Sequence, residues 1–113
     1  MVVDLSDQDA VDRVFAALAD ATRRDILRRV LAEEASVSAL ASRYDMSFAA
    51  VQKHVAVLER AHLVHKQRRG REQLVHGDPE AVRDVAALLE QFEQLWRARV
   101  AAIDELLGLP PGS

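Results

Sequence analysis

The residues best suited to reading a nucleic acid lie between positions 47 and 71. Gln52 and Lys53 stand side by side in a run with helical spacing, where glutamine can bond adenine twice and lysine can reach the acceptors of guanine. Residues 53–71 carry a net charge of +5, whereas the whole chain carries −3 and the other residues therefore sum to −8. A local basic patch matters more for phosphate binding than the total charge. The pattern predicts a nucleic-acid surface on an otherwise acidic protein.

Two closely spaced helices are predicted to position that surface. Ser38 and Ser47 each precede a run with helical spacing, as N-cap residues do, because a hydroxyl accepts the free N–H groups of a first turn. Only Asp45 and Met46 separate the first run from the second cap, so the two helices must cross sharply, as in a helix-turn-helix. The buried stripe of the second helix is predicted to consist of Val51, Val55 and Leu58.

A basic hairpin follows the second helix. Leu63-Val64 begins an extended stretch, Arg69-Gly70 supplies a turn and Leu74-Val75 returns, while Val37 is expected to add a short strand. A helix-turn-helix followed directly by a hairpin is the plan of a winged helix, with the second helix in the major groove and the wing along phosphates. An exposed solubilising turn is the alternative, but the adjoining helices favour DNA. The cations of the wing are Lys66, Arg68, Arg69 and Arg71.

Three stretches of the chain resemble ArsR-type bacterial winged-helix repressors. They read VFAALADATRRDILRRVL at 14–31, VSALASRYDMSFAAVQKHVAVLERAHLV at 37–64 and RRGREQLV at 68–75. The landmarks keep the family order over about residues 11–107. The resemblance implies a mainly α fold of five helices with a small β-hairpin wing, in a homodimeric regulator that binds double-stranded DNA at a palindromic operator. Repression is also implied by the resemblance alone.

The predicted DNA contacts combine the recognition helix, the wing and the start of an earlier helix. Ser47 is both a cap and a candidate phosphate contact. Phe48 either touches a thymine methyl group or covers the wing, and His54 is either a satisfied, semi-buried histidine or a phosphate contact. Thr22 and Arg23 are candidate phosphate contacts on a helix whose charges are otherwise interpreted as a solvated face. The full set is Thr22, Arg23, Ser47, Phe48, Ala49, Gln52, Lys53, His54, Lys66, Arg68, Arg69 and Arg71.

Two further helices are predicted before the helix-turn-helix. The first begins at a capping box formed by Ser6 and Asp9 and ends near Ala19. The second begins at Asp20 and runs to about Glu33. The apolar stripe of the first helix is predicted to consist of Val11, Val14, Phe15 and Leu18. In the second helix, the side chains that are expected to face the core are Ile26, Leu27, Val30 and Leu31.

A long terminal helix is predicted from Asp78-Pro79 onward, because proline suits the first helical position. Its apolar residues recur at steps of three and four apart from Arg99, which makes one seam over about seven turns. One winged core can hardly cover so long a stripe, so we expect a two-fold dimer interface shared with the first helix; folding back onto its own subunit is the alternative. The expected interface residues are Val11, Phe15, Leu89, Phe92, Trp96 and Ile103.

The length of the chain predicts one winged helix-turn-helix domain at residues 1–107, with 79–107 as the dimerisation helix and a disordered tail at 108–113. Half of the residues are hydrophobic, which argues against disorder elsewhere. The chain has no cysteine, so disulfides and thiolate metal sites are excluded. No signal peptide or membrane-spanning run is recognised, and the expected location is the cytoplasm without a membrane partner.

Metal sensing and catalysis receive little support from the sequence. The resemblance implies two kinds of metal site, which consist either of cysteines on the first motif helix or of histidines and carboxylates on the terminal helix. In this chain the first motif helix, SALASRY, has no thiol, and the terminal helix has no histidine. A metal-responsive repressor with a non-standard histidine and carboxylate site stays an alternative. His65 and His76 could approach each other across the hairpin, but two exposed histidines are not a closed site. No oxyanion hole or glycine-rich phosphate loop accompanies Ser47, so no catalytic residue and no cofactor are expected. A protein-interaction module is a third hypothesis, and no effector is identified.

Overall fold

The computed structural model describes Asp4 and residues 6–108 of the chain. Within those residues five α-helices and a three-stranded sheet confirm the predicted winged helix-turn-helix. The predictions for the remaining N-terminal residues and for a disordered tail after Gly108 lie outside the described residues. In chain order the elements are α1 (Gln8–Leu18), α2 (Ala21–Ala32), β1 (Ala35–Ser36), α3 (Val37–Ala41), α4 (Phe48–Arg60), β2 (Val64–Arg69), β3 (Glu72–Gly77) and α5 (Pro79–Leu106).

The first two helices both begin at aspartates. Asp7 caps α1 by accepting the backbone N–H of Asp9 at 3.0 Å. The predicted capping box at Ser6 is wrong, because the hydroxyl of Ser6 donates to Asp4 instead, at 2.6 Å. Asp20 caps α2 as predicted. A carboxylate suits both places because it accepts unpaired N–H groups and carries the charge that the helix dipole favours there.

The helix-turn-helix consists of α3 and α4, with one cap displaced from the predicted residue. Ser47 caps α4 as predicted, accepting a backbone N–H at 3.1 Å. Ser36, not Ser38, caps α3 through a bond of 3.0 Å. The prediction failed because β1 pairs with β3 as far as Ser36, opposite Leu74. The backbone is therefore extended up to Ser36, and the helix begins at the next residue.

The core lies where α1 to α4 meet the sheet. The predicted stripe of α4 is confirmed, since Val51, Val55 and Leu58 are each at most 1% exposed. On α1 the residues that enter the core are Ala10, Val14 and Ala17, whereas Phe15 is 41% exposed. Phe15 belongs to the predicted apolar stripe but lies outside the core, and its place in a dimer interface stays a prediction.

Leu31 departs from the predicted core. Its side chain is 39% exposed, although Ile26, Leu27 and Val30 of the same helix are buried as predicted. Leu31 lies over Gly77 at the end of β3, where an added Cβ would come within 2.5 Å of a Leu31 methyl carbon. The helix thus passes the end of the sheet, and its last leucine covers a glycine with one side still in solvent.

The wing is part of a three-stranded antiparallel sheet in the order β1-β3-β2. The hairpin closes between Arg69 and Glu72, which are register partners. Gly70 in the turn has φ of 62°, a backbone conformation that glycine adopts without steric cost. The short strand expected at Val37 occurs two residues earlier, as β1. This third strand attaches the wing to the start of α3.

The terminal helix begins as predicted, with Asp78 as its cap and Pro79 in its first turn. Ala81 and Val85 are buried, but residues 86–99 are exposed apart from the half-buried Leu88. At 1.5 Å per residue, α5 is about 42 Å long, and it extends a molecule whose longest axis is 66 Å. The alternative in which this helix folds back over its own core does not occur. None of the described helices is both long and apolar enough to span a membrane.

Candidate nucleic-acid interface

The outer face of α4 carries the residues predicted to reach DNA bases. Ala49, Gln52 and Lys53 are exposed, and Phe48 is 47% exposed in the first turn. Ser47, which caps the helix, is exposed at the same end. The 3.6-residue period explains the arrangement, because the buried stripe takes one side of the helix and leaves these residues on the other. Their DNA contacts stay a prediction.

A cleft of about 270 Å³ lies between the start of α4 and the wing. Phe48 and Gln52 line it from the helix, and Arg68 and Arg71 line it from the hairpin. The structure thus brings the two predicted DNA surfaces to opposite sides of one cleft. Phe48 faces this space, so both hypotheses for it, a thymine contact and a cover for the wing, remain open.

The four cations of the wing differ in their present partners. Nζ of Lys66 lies 3.4 Å from a carboxylate oxygen of Glu59, and Nη1 of Arg69 lies 3.7 Å from one of Glu34. Such pairs at the surface contribute only about 0–1 kcal/mol, so phosphate can replace the carboxylate. Arg68 and Arg71 are exposed and have no carboxylate at ion-pair distance among the described residues, which makes them the first candidates for phosphate contacts.

The guanidinium of Arg23 is engaged inside the protein. Its Nε donates to the carbonyl oxygen of Ala17 at 2.8 Å, and Nη2 donates to that of Ala16 at 2.9 Å. Carbonyl groups at a helix C-terminus carry partial negative charge, so a cation there stabilises α1. Two of its nitrogens are thus bonded to α1, which leaves Arg23 less free to meet DNA, and its phosphate contact stays a prediction. Thr22 is half-buried beside it, and its contact stays a prediction.

His54 lies on the inner edge of α4, with its side chain 22% exposed. Its Nδ1 is 3.3 Å from Nη1 of Arg23 and 4.0 Å from a carboxylate oxygen of Asp20. A guanidinium can only donate, so Nδ1 is the acceptor and the proton of the neutral ring is on Nε2. The prediction of a semi-buried, satisfied histidine is confirmed, whereas its phosphate contact is untested.

A network that the sequence did not indicate joins α2 to the turn before α4. The hydroxyl of Tyr44 donates to Oδ2 of Asp25 at 2.5 Å, and Nε of Arg29 donates to the same oxygen at 2.8 Å. The Tyr44 bond, followed by the Arg29 bond, lowers the pKa of Asp25 to about 2. The arginine lies one helical turn from Asp25, but Tyr44 is 19 residues away, and no local spacing predicts that contact. The network holds the turn of the helix-turn-helix against α2.

The residues predicted for a dimer interface are apolar side chains of α5 and α1 that are exposed or half-buried. On α5 the exposed fraction is 57% for Phe92 and 62% for Trp96, and Leu89 and Ile103 are about half exposed. Val11 on α1 is half-buried, next to the exposed Phe15. Large apolar side chains that lie together in solvent are typical of a protein-interaction surface. The second copy of the chain that is expected to cover them stays a prediction.

The base of the wing is tied to the start of α5. Nε2 of His65 lies 2.7 Å from Oδ2 of Asp78, the cap of α5, and the rings of His65 and His76 are 5.8 Å apart. Burial raises the pKa of Asp78, but the His65 bond and the bonds from backbone N–H groups outweigh it, so the net shift is downward. Nowhere in the described part of the chain do three or more metal-binding side chains form a group able to hold an ion.

Comparisons of the sequence with known proteins converge on DNA-binding regulators. A model of a helix-turn-helix domain matches residues 18–67, which span α2 to β2. An HTH-type transcriptional regulator of Mycobacterium tuberculosis is 32% identical over 96 residues, which cover 85% of this chain and 87% of that protein. The match thus extends well beyond the helix-turn-helix itself.

Solved structures of other proteins have a fold similar to that of this chain. An ArsR-like transcriptional regulator from Rhodococcus sp. RHA1 superimposes with a TM-score of 0.78 at 33% identity, covering 88% of this chain and 93% of that one. A homodimeric winged helix-turn-helix DNA-binding domain from Mycobacterium bovis, described as a possible ArsR-family regulator, gives a TM-score of 0.63 at 29% identity. The second comparison covers 77% of this chain and 81% of the other.

Proposed function

This chain belongs to the ArsR-type winged helix-turn-helix transcriptional regulators, and from that membership we propose that it acts as a homodimeric repressor of a palindromic operator. DNA binding in transcriptional regulation, without enzymatic activity, comes with the family. The dimer, the palindrome and the direction of regulation are the parts that we propose.

The cleft between α4 and the wing is the observation that carries the proposal. Gln52 lines it from the helix, and Arg68 and Arg71 line it from the wing. Lys53 is exposed next to Gln52 on α4, so that Gln52 and Lys53 would reach base edges while Arg68 and Arg71 would contact phosphates. Ser47 lies at the N-terminus of α4, where backbone N–H groups and the helix dipole favour a phosphate. Base contacts would select the sequence, and phosphate contacts would set the position of the protein on the duplex.

The exposed seam of α5 supports a second copy of the chain as the partner. Phe92 and Trp96 are the proposed anchors, because large aromatic residues dominate the energy of such interfaces. A dimer with a two-fold axis would place two α4 helices in successive major grooves, about 34–36 Å apart. The homodimeric relative from Mycobacterium bovis points the same way. A two-fold protein would then select an inverted repeat.

Repression would follow from occupancy, since a dimer bound over a promoter excludes polymerase. The protein would act in the cytoplasm, where the bacterial chromosome lies. Release from DNA requires a ligand, partner or modification that binds more tightly to a dimer whose recognition helices are misplaced.

Selection of bound fragments from random duplex DNA tests the proposal directly. We expect an enriched inverted repeat with half-sites about one helical turn apart, and lower transcription from a promoter that carries the repeat. Enrichment of a single half-site or a direct repeat would contradict the two-fold dimer, and increased transcription would contradict repression. The selection is run with and without zinc, since loss of binding with zinc would indicate a metal-responsive repressor. A folded dimer that enriches no sequence at low salt would instead be a protein-interaction module.

A further inference from the structure

Two arginines of α2 close the C-terminal end of α1. Nη1 of Arg24 donates to the carbonyl oxygen of Leu18 at 2.7 Å, and Arg23 donates to those of Ala16 and Ala17. These bonds satisfy carbonyl groups that an α-helix leaves unpaired at its end. Both arginines therefore stabilise the same helix end, and they differ in what else they touch.

Of these two arginines, only Arg23 also contacts the recognition helix α4. Its Nη1 lies 3.3 Å from Nδ1 of His54, which is next to Lys53 along α4. His54 is on the core side of α4 and Lys53 on the outer side. A rotation of α4 about its axis would break the bond to Arg23 and move Lys53 and Gln52 relative to the rest of the domain.

We propose that Arg23 is a positioning residue for operator recognition, which bridges the end of α1 to His54 and so fixes the orientation of α4 relative to the dimer interface. The inference rests on the proposed function, in which α1 contributes Val11 and Phe15 to that interface. A dimer reads two half-sites only when both recognition helices keep their distance and angle. In each subunit, Arg23 would hold the recognition helix α4 in a fixed orientation relative to α1.

The bridge needs an acceptor on His54 that faces Arg23. Nδ1 of the neutral ring offers a lone pair to Nη1 of Arg23, 3.3 Å away. Asp20 lies on the same side, with a carboxylate oxygen 4.0 Å from Nδ1. The side chain of residue 54 must therefore present an acceptor at this position for the bridge to form.

Two substitutions of His54 separate the bridge from other roles of this residue. Asparagine places its side-chain oxygen near the position of Nδ1, whereas leucine offers no acceptor. With the selected operator DNA, we expect His54→Leu to bind at least about fivefold more weakly, the lower end of usual coupling between sites. His54→Asn should keep the wild-type affinity, because its side-chain oxygen can accept the N–H of Arg23.

Arg24 supplies a matched control for Arg23. Arg23→Met and Arg24→Met each remove a cation from the end of α1, so both should lower the urea midpoint of unfolding. Only Arg23→Met should weaken operator binding among protein that sedimentation shows to be folded and dimeric. In the double variant Arg23→Met/His54→Leu the affinity should match that of Arg23→Met alone, because both changes break the same hydrogen bond.

Several results would overturn the inference. Unchanged operator affinity in His54→Leu would do so, as would additive effects in the double variant. If His54 instead bound phosphate directly, its replacement would lower the log–log salt slope by about 0.9 for each phosphate that it neutralises, and asparagine would not restore it. If His54 acts through the bridge to Arg23, the salt slope of operator binding should not change in His54→Leu, and His54→Asn should restore the affinity. Absence of operator binding by the wild-type dimer would overturn the proposed function itself, and that outcome is visible before any variant is compared.

Discussion

Removal of Arg68 and Arg71 from the wing should change the salt dependence of DNA binding more than any other pair of substitutions at the surface. Both side chains line the cleft opposite α4 and lack ion-pair partners within the described chain, so no carboxylate has to be displaced when they meet phosphate. Lys66 and Arg69 must first leave Glu59 and Glu34. The double variant Arg68→Ala/Arg71→Ala therefore removes the two wing cations that are most available to phosphate.

The expected size follows from counterion release. Each phosphate contact contributes about 0.9 to the slope of log affinity against log salt, so two arginines in each of two subunits account for up to about 3.6. Between about 50 and 200 mM salt, the wild-type protein should then lose up to about 150-fold more affinity than the variant. Fluorescence anisotropy of labelled operator, titrated at several salt concentrations, measures both slopes.

A control variant carries the same change in net charge away from the wing. Arg13 on α1 and Arg83 on α5 are exposed and lie on helix faces opposite the apolar residues of the proposed interface. Arg13→Ala/Arg83→Ala should leave the slope near that of the wild type. If the wing variant lowered the slope by less than about 1, or if the control lowered it equally, the wing would not lie on phosphate and the observed effect would reflect total charge.

Three further predictions concern base contacts, the dimer and acid stability. Lys53→Ala or Gln52→Ala should weaken operator binding by about 1–3 kcal/mol and non-operator binding much less; equal effects on both duplexes would exclude base contacts by these residues. Trp96→Glu should yield monomers in sedimentation, because a charge replaces an apolar anchor, and an intact dimer would place the interface elsewhere. The lowered pKa of Asp25 stabilises the fold at pH values above the unfolded carboxylate pKa, and that stability is lost as pH falls through about 2. Tyr44→Phe removes the main cause, so it should reduce stability at neutral pH by about 1 kcal/mol and raise the midpoint of acid unfolding; an unchanged midpoint would show that the bond contributes nothing.

Local features of the fold were predictable because their causes lie within a few residues. Asp20, Ser47 and Asp78 cap helices through N–H groups two or three residues away. The stripe of α4 follows from a 3.6-residue period, and the turn at Gly70 needs a backbone conformation that glycine takes freely. The exposure of the candidate site residues could be predicted in the same way, since it follows from their positions along one helix and one hairpin.

The cap of α3 and the exposure of Leu31 show where local patterns fail. Ser36 and Ser38 both precede apolar residues, and the choice between them depends on how far β1 pairs with β3. Leu31 has the spacing of a core residue, but at its position α2 passes the end of the sheet, so the side chain covers Gly77 and stays 39% exposed. In both cases the outcome depends on packing against an element that is distant along the chain.

The helix-turn-helix, the basic wing, the apolar seam of α5 and hence the class of protein could be predicted from the order of residues, because hydrophobic period, caps and turn residues act over one or two helical turns. How these parts are joined could not be predicted in this way. The bonds from Arg23 to α1 and to His54, and from Tyr44 to Asp25, connect residues 6 to 31 positions apart along the chain. A long side chain can reach any acceptor that folding brings near it, so its partner is fixed by the packing of whole helices and not by the residues beside it.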